Sequence, residues 1–135
     1  MKIVLDAWAI LAYLQREEPA ASRVREILKK AEARQVDLCV SLINVGEVFY
    51  SIGRRRGEQA AEETLEELHC LPVTILPPEP DTVLKAARLK MHHALSYADA
   101  FAVVTAQDLH ATLMTGDPEI LAIKDIVAVE PLQRG

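Results

Sequence analysis

The run Lys2-Ile3-Val4-Leu5-Asp6 limits what this chain can fold into more than any other stretch. Three apolar residues that favour β-strands lead directly into a carboxylate, and residues 7–12 have the apolar character of a buried helix. A strand that is covered on both faces shows a continuous apolar run instead of alternation. We therefore expect the central strand of a parallel sheet, with Asp6 at the carboxyl edge, where open α/β sheets bind their ligands.

Strands and helices alternate along the rest of the chain. Further strands are predicted over 36–40, 71–76, 111–115 and 126–129. Helices are predicted over 7–14, from Pro19 onwards in a first-turn position, and over 42–56, 58–70, 80–94, 100–106 and 120–123. This order predicts an α/β fold, a three-layer α/β/α sandwich around a central parallel sheet of about five strands, with 1–135 as a single domain.

The composition is that of an ordinary soluble protein, with 50% apolar and 26% charged residues. No apolar run approaches the roughly 18 residues that span a bilayer, and the first residues lack the architecture of a signal peptide. Cys39 and Cys70 have no C-x-x-C spacing, so we expect buried, reduced thiols. We expect a cytoplasmic protein without a membrane partner.

The net charge of −5 argues at first sight against a nucleic-acid partner. Net charge hides the distribution of charges, however. Basic side chains cluster at Arg54-Arg55-Arg56 and again at Lys85, Arg88 and Lys90. Aromatic residues make up only 4% of the chain, which weakens an interpretation as a protein that stacks single-stranded bases.

Four carboxylates stand out: Asp6, Glu47, Asp99 and Asp117. Each has an ordinary structural explanation. Asp6 and Asp117 have the position of helix N-caps, Ser96 and Asp99 match a capping box, and Glu47 could be a charge at a helix edge. Taken together they indicate more, because Asp6 and Asp117 each follow a predicted strand and Glu47 lies in the second turn of a helix that leaves another strand. We expect them to meet at one edge of the sheet.

No lysine or arginine lies near these acids in the sequence. An unpaired buried carboxylate costs several kcal/mol or takes up a proton, so a divalent cation is the simplest partner for four converging carboxylates. A set of carboxylate oxygens without His or Cys suits Mg²⁺ or Mn²⁺ better than Zn²⁺. Such ions activate water and stabilise leaving oxygens in phosphate chemistry.

Four motifs give the chain a resemblance to the PIN-domain ribonucleases, and among them to the VapC-type toxins of toxin–antitoxin pairs. They are IVLDAWAILAYL around Asp6, N-V-G-E at 44–47, S-Y-A-D-A-F-A at 96–102 and T-G-D at 115–117. The resemblance covers essentially the whole chain. It implies that the four acids are the metal-binding and catalytic residues, supported by Asn44, Ser96 and Thr115. One departure is Trp8, where many members of the family have Ser or Thr.

The resemblance further implies Mg²⁺- or Mn²⁺-dependent hydrolysis of RNA, leaving 5′-phosphate and 3′-hydroxyl ends. Toxins of this family usually cut tRNA or ribosomal RNA and so block translation, form dimers, and are silenced by an antitoxin protein. The basic side chains fit such a substrate, since they could hold an RNA backbone; these are Arg54, Arg55, Arg56, Lys85 and Arg88. The alternative for them is an ordinary solvated helix face.

Two other functions remain open from the sequence. A phosphoacceptor or phosphatase domain also places an Asp at a strand end. It needs a nearby Lys or a second Asp two residues later, and Trp8 occupies that second position. A non-catalytic PIN-like module would bind RNA or a partner without cutting it, although the presence of all four acids argues against this alternative.

Overall fold

The computed structural model of the protein describes residues 1–135. The five strands are β1 Lys2–Leu5, β2 Asp37–Ser41, β3 Thr74–Leu76, β4 Thr112–Thr115 and β5 Val129–Pro131. The seven helices are α1 Ala7–Leu14, α2 Ala20–Glu32, α3 Leu42–Arg56, α4 Glu58–His69, α5 Pro80–His92, α6 Tyr97–Leu109 and α7 Pro118–Leu121. None of these helices is both long enough and apolar enough to cross a bilayer.

The five strands form one sheet in the order β3-β2-β1-β4-β5, and every pair is parallel. β1 lies at the centre, where Leu5 pairs with Val40 of β2 on one side and with Met114 of β4 on the other. After β1 the chain adds β2 and β3 on one side of it, and it then crosses back to add β4 and β5 on the other side. The crevice between the ends of β1 and β4 is therefore the switch point at which such sheets bind ligands.

Both faces of the sheet are covered, which confirms the three-layer α/β/α prediction. Ile3 and Leu5 belong to a core that also contains the inner faces of α1, α2 and α3. Val4, which points to the opposite face, belongs to a second core formed mainly with α6. The continuous apolar run of β1 follows from this arrangement, because neither face of the central strand meets solvent.

The boundaries differ from the predictions mainly at the edges of the sheet. β5 begins at Val129 rather than 126, because the preceding segment turns through a hydrogen bond from Ile126 N to Ile123 O (3.1 Å). Pro131 is the last residue of β5, a position that an edge strand tolerates because its outer side needs no donor. β3 is shortened to three residues by a turn over 70–73.

Several helix boundaries also differ. α6 runs from Tyr97 to Leu109 instead of over 100–106, and α7 runs from Pro118 to Leu121 instead of over 120–123. α4 ends at His69, α5 ends at His92, and Pro19 is the N-cap of α2 rather than its first residue. Residues 99–106 of α6 are all buried, and the helix continues through the exposed Gln107 and Asp108 to a left-handed C-cap at His110, whose backbone N–H donates to Ala106 O and Gln107 O.

The two cysteines are free thiols, as the sequence predicts, but the prediction that they are buried is wrong. Cys39 on β2 is partly buried, and Cys70, which directly follows α4, is exposed. The turn after α4 carries Cys70 outwards, away from the apolar residues that precede it in the sequence.

Candidate active site at the carboxyl edge of the sheet

Asp6 is placed by the end of β1 and by its role as the N-cap of α1. Its Oδ1 accepts a hydrogen bond from Ala9 N (2.9 Å), and its Oδ2 accepts one from the hydroxyl of Thr115, across the switch point. The side chain is only 1% exposed. The capping interpretation is thus confirmed, and the same residue stands where a ligand site of this fold is expected.

Thr115 connects two of the predicted acids. Its Oγ1 donates to Asp6 and accepts from Asp117 N (3.0 Å). Asp117 is in turn the N-cap of α7, where its Oδ1 accepts from Glu119 N (2.8 Å). The T-G-D sequence therefore fixes both acids relative to each other through a single hydroxyl group.

Asn44 and Glu47 belong to the first half of α3, which Ser41 caps through a bond from Ile43 N (3.2 Å). Asn44 Nδ2 donates to the carbonyl of Ala98 (3.1 Å) and, at 3.4 Å, to Glu47 Oε1. This amide ties α3 to the start of α6. Asn44 is fully buried, and its Oδ1 accepts no hydrogen bond.

Asp99 lies in the first turn of α6, where its backbone N–H donates to Ser96 Oγ (3.1 Å). This is one half of the capping box that the sequence predicts. The other half, a bond from the Ser96 backbone N–H to the Asp99 carboxylate, is absent, although the Ser96 side chain lowers the pKa of this carboxylate. Asp99 is only 7% exposed. Ser96 therefore orients the turn, and no cationic side chain pairs with the carboxylate.

Burial sets the charge state of these acids. Burial raises the pKa of Asp6 to about 7, against the lowering effect of its bonds from Thr115 and Ala9. Burial, followed by repulsion from Asp117, likewise raises the pKa of Asp99 to about 7. The pKa of Glu47 is also raised, chiefly by burial. The protein thus keeps several carboxylates in surroundings that disfavour their charge.

The acids act on one another. Like-charge repulsion, seen in these pKa shifts, joins every pair among the four except Asp6 and Glu47. None of the four forms a salt bridge. The structure thus brings all four predicted acids to one edge without a compensating cation from the chain.

The acids are not drawn together completely. No three acidic, His or Cys side chains lie close enough to enclose an ion between them. Asp6 and Asp117 each accept a hydrogen bond from a backbone N–H of the helix that they cap, and the two carboxylates repel each other. Even so, the donors are all oxygens of carboxylates, together with the unpartnered Asn44 Oδ1, which is the donor chemistry that Mg²⁺ and Mn²⁺ prefer.

The predicted basic residues have different locations. Lys85 forms an ion pair with Asp108 at 2.9 Å. Asp108 follows Asp99 by nine residues on α6 and is therefore about 13 Å from it along the helix axis. Arg54, Arg55 and Arg56 form the exposed last turn of α3, and Arg88 is exposed on α5. Their contact with a substrate stays a prediction.

Three residues near the site were not predicted. Glu119 adds repulsion that raises the pKa of Asp99, and the G-D-P-E turn could have indicated it. Gly116, between Thr115 and Asp117, packs directly against the ring of Trp8, whose departure from the family pattern was the available indication. Arg134 lies over the same ring, 5.7 Å from its centroid, and nothing local in the sequence indicates that contact.

Several solved structures share this fold. VapBC2 from Rickettsia felis, bound to a promoter DNA fragment, has a TM-score of 0.75 and 14% identity, covering 98% of this chain and 100% of that one. DNA-bound VapBC from Salmonella typhimurium has a TM-score of 0.74 and 14% identity, with coverages of 97% and 98%. VapC20 from Mycobacterium tuberculosis, a toxin that cleaves the Sarcin-Ricin loop, has a TM-score of 0.71 and 15% identity, with coverages of 89% and 93%.

No curated protein sequence matches the chain. A family model does: the PIN domain model matches residues 3–126, a range that contains the four acids and the crevice between β1 and β4. The sequence match and the shared fold agree, and the chain therefore belongs to the PIN domain family.

Proposed function

We propose that the protein is a Mg²⁺- or Mn²⁺-dependent endoribonuclease. The observation that carries this proposal is that Asp6, Glu47, Asp99 and Asp117, four carboxylates at the ligand-binding edge of a PIN domain, form no salt bridge although most pairs of them repel each other. Keeping the two buried ones, Asp6 and Asp99, ionised there destabilises the fold, since neither has a cationic partner. A divalent cation would remove that cost and supply the chemistry in the same step.

The four acids would hold the ion or ions, and when bound these would polarise the scissile phosphate and lower the pKa of the attacking water. The remaining roles belong to the chain itself. Thr115 would hold Asp6 and Asp117 in one fixed relation through its hydroxyl. Ser96 and Asn44 would hold the start of α6, and with it Asp99, against α3.

Proton balance favours loading near neutral pH. With pKa values of about 7, Asp6 and Asp99 are partly protonated in the free protein, and a cation must displace those protons. We expect divalent ions to bind weakly at pH 5 and more tightly as the pH rises through 7.

The biological role we propose is that of a toxin that blocks translation by cutting RNA, silenced by an antitoxin protein in the cytoplasm. Its support is the fold shared with VapC proteins, one of which is a Sarcin-Ricin loop cleaving toxin, so we favour ribosomal RNA over tRNA as substrate. Leu84 and Met91, 57% and 75% exposed, lie seven residues apart on α5 and offer an apolar face for a homodimer.

The nuclease proposal is tested with the purified protein and a structured RNA in Mn²⁺, in Mg²⁺ and in EDTA. We expect cleavage with either ion, none in EDTA, and 5′-phosphate and 3′-hydroxyl ends on the products. Calorimetry should detect uptake of Mn²⁺ by the wild type and much weaker uptake by Asp6→Asn. A folded protein that binds neither ion and cuts no RNA would refute the proposal and leave a non-catalytic PIN module.

The toxin role needs a separate test. Expression of the wild type alone should arrest growth, while expression of Asp6→Asn at the same level should not. Sequencing the 5′-phosphate ends released in the arrested cells would identify the RNA. Normal growth with abundant soluble wild-type protein would contradict the toxin role and leave the nuclease chemistry standing.

A further inference from the structure

We infer that Arg134, held on the ring of Trp8, is a phosphate-binding residue for the RNA strand beside the acidic edge. Trp8 acts in this inference as a positioning residue for the guanidinium. The inference rests on the proposed nuclease function and adds a cation that neither the motifs nor the predicted basic clusters contain.

Trp8 belongs to the rim of the site. It lies in the first turn of α1, two residues after Asp6, and its ring packs against Gly116. A methyl group at Gly116 would come within 2.6 Å of Trp8 Cζ2, so the contact leaves no space for any other residue there. The indole therefore lies against the same turn that carries Thr115 and Asp117.

Arg134 reaches this ring through an anchored segment. Leu132, which follows β5, is buried, and its backbone N–H donates to Thr115 O (2.7 Å). Two residues later the Arg134 guanidinium lies over the Trp8 ring, with Cζ 5.7 Å from the centroid. A guanidinium on an aromatic face keeps its N–H edges free for a planar, bidentate partner such as phosphate.

Arg134 forms no salt bridge. Trp8 and Arg134 line a cleft of about 550 Å³ that also contains Glu17 and Glu18. Glu18 is occupied by Arg25 (2.6 Å). Nearby acidic charge is thus present but engaged, while the arginine is not.

A second guanidinium, that of Arg55, contacts a residue of this cleft. Gln15 lines it at the end of α1, and in the amide orientation that suits both neighbours its nitrogen donates to Glu17 Oε1 (3.1 Å) and its oxygen accepts from Arg55 Nη1 (2.7 Å). Glu17 is thereby engaged as well. Arg55 and Arg134 would give a strand that crosses the acidic edge two cationic contacts on its flank, as polyanions require.

The test measures RNA binding in protein that carries Asp99→Asn, so that the RNA stays intact in Mg²⁺. The probe is a single-stranded RNA of mixed sequence, followed by its polarisation and by the emission of Trp8, the one tryptophan of the chain. Arg134→Gln is compared with Arg34→Gln, which removes the same charge from the exposed turn before β2, at the opposite edge of the sheet. Wild-type cleavage of the same RNA in Mn²⁺ is measured in parallel.

We expect RNA to change the emission of Trp8. Arg134→Gln should weaken binding about tenfold, as loss of one charge-assisted bond predicts, and should lower the slope of log K against log salt by about 1. Arg34→Gln should change neither quantity. Arg134→Lys should restore the slope but only part of the affinity, because it keeps the charge and loses the planar fork.

The role of Trp8 is tested by a double-mutant cycle. If Trp8 acts through Arg134, Trp8→Leu weakens RNA binding in the Arg134 protein and has no further effect in Arg134→Gln. Additive losses would overturn the positioning role.

Equal affinity and equal salt slope for Arg134→Gln and its parent would overturn the inference while cleavage by the wild type still supported the nuclease. The inference would also be overturned if the wild type cuts the RNA but the Asp99→Asn protein does not bind it. If the wild type neither binds nor cuts RNA, the proposed function fails, and the inference fails with it.

Discussion

Two aspartates of α6 show how differently this molecule treats negative charge. Asp108, near the end of the helix, is exposed and pairs with Lys85 at 2.9 Å. Asp99, about 13 Å away at the other end, is almost completely buried, has no cationic partner, and has its pKa raised to about 7. The exposed carboxylate of this helix, which solvent already stabilises, has a cationic partner, whereas the buried carboxylate, whose charge is costly, has none.

The same contrast holds across the molecule. Arg23 forms a bidentate pair with Glu130 (2.6 and 2.8 Å), and bonds from Arg25 lower the pKa of Glu18 to about 2. At the carboxyl edge the shifts have the opposite sign for Asp6 and Asp99. Cations are available in the chain, and they stabilise the periphery. The edge keeps its unfavourable charge, as expected of a site that a ligand must complete.

The largest expected effect is on the rate of RNA cleavage, and it should separate the two aspartates of α6 when each is replaced by asparagine. Asp99→Asn removes a proposed ion ligand and should lower the rate of RNA cleavage in Mn²⁺ about a thousandfold, since a bound ion contributes several kcal/mol to the transition state. Asp108→Asn makes the same chemical change outside the site and should leave the rate unchanged. Equal losses in both variants would show that the contrast between the two ends of α6 has no functional meaning.

Substituting alanine for two glycines should change the free energy of unfolding in opposite directions, because one lies in tight packing at the rim of the site and the other in open space on α3. Gly116→Ala should destabilise the protein by about 3 kcal/mol, because the new methyl group overlaps the Trp8 ring. Gly46→Ala, in an open and exposed position inside α3, should stabilise it by about 1 kcal/mol. Denaturant unfolding measures both; a neutral Gly116→Ala would mean that Trp8 can move away from the edge.

The unpaired charge should also appear as a pH dependence of stability in EDTA. Between pH 3.8 and about 7 the folded protein holds a proton on Asp99 that the unfolded chain has lost, so stability falls as the pH rises through this window. Asp99→Asn cannot ionise, so at pH 8 its free energy of unfolding should exceed that of the wild type by about 2 kcal/mol, roughly half of what the full pKa shift implies because solvent at the edge screens the charge. At pH 4 the two should differ little. Urea unfolding at both pH values decides; a constant difference would contradict the raised pKa.

Much of this could be predicted from local patterns. The apolar run before Asp6 and the helix caps at Ser96 and Asp117 are predictions about neighbouring residues, and the fold confirms them. Parallel strands then bring strand ends to one edge whatever their separation in sequence. This is why acids as distant as Asp6 and Asp117 could be placed together.

The features that could not be predicted depend on long-range contacts, which neither hydrophobic periodicity nor helix-capping residues indicate. Arg134 on Trp8 and Arg23 on Glu130 each join residues more than a hundred positions apart, and side-chain pairing at that range is settled by packing alone. The start of β5 escaped for a related reason. Its residues 126–129 are apolar enough for a strand, and the turn that delays it uses a backbone bond that the sequence does not mark.

The smallest effect should come from the paired end of α6. Asp108→Asn and Lys85→Gln each break an exposed ion pair, and such pairs contribute little because solvent screens them. We expect a small decrease in Tm, below the size of the increase from Gly46→Ala, that disappears at high salt. The double variant should lose little more than either single one, because Lys85 interacts mainly with Asp108. A large decrease in Tm that does not depend on salt would mean that ion pairs stabilise the protein substantially even at its exposed surface. The cost of the unpaired carboxylates at the carboxyl edge would then differ only in size from that of a broken ion pair elsewhere.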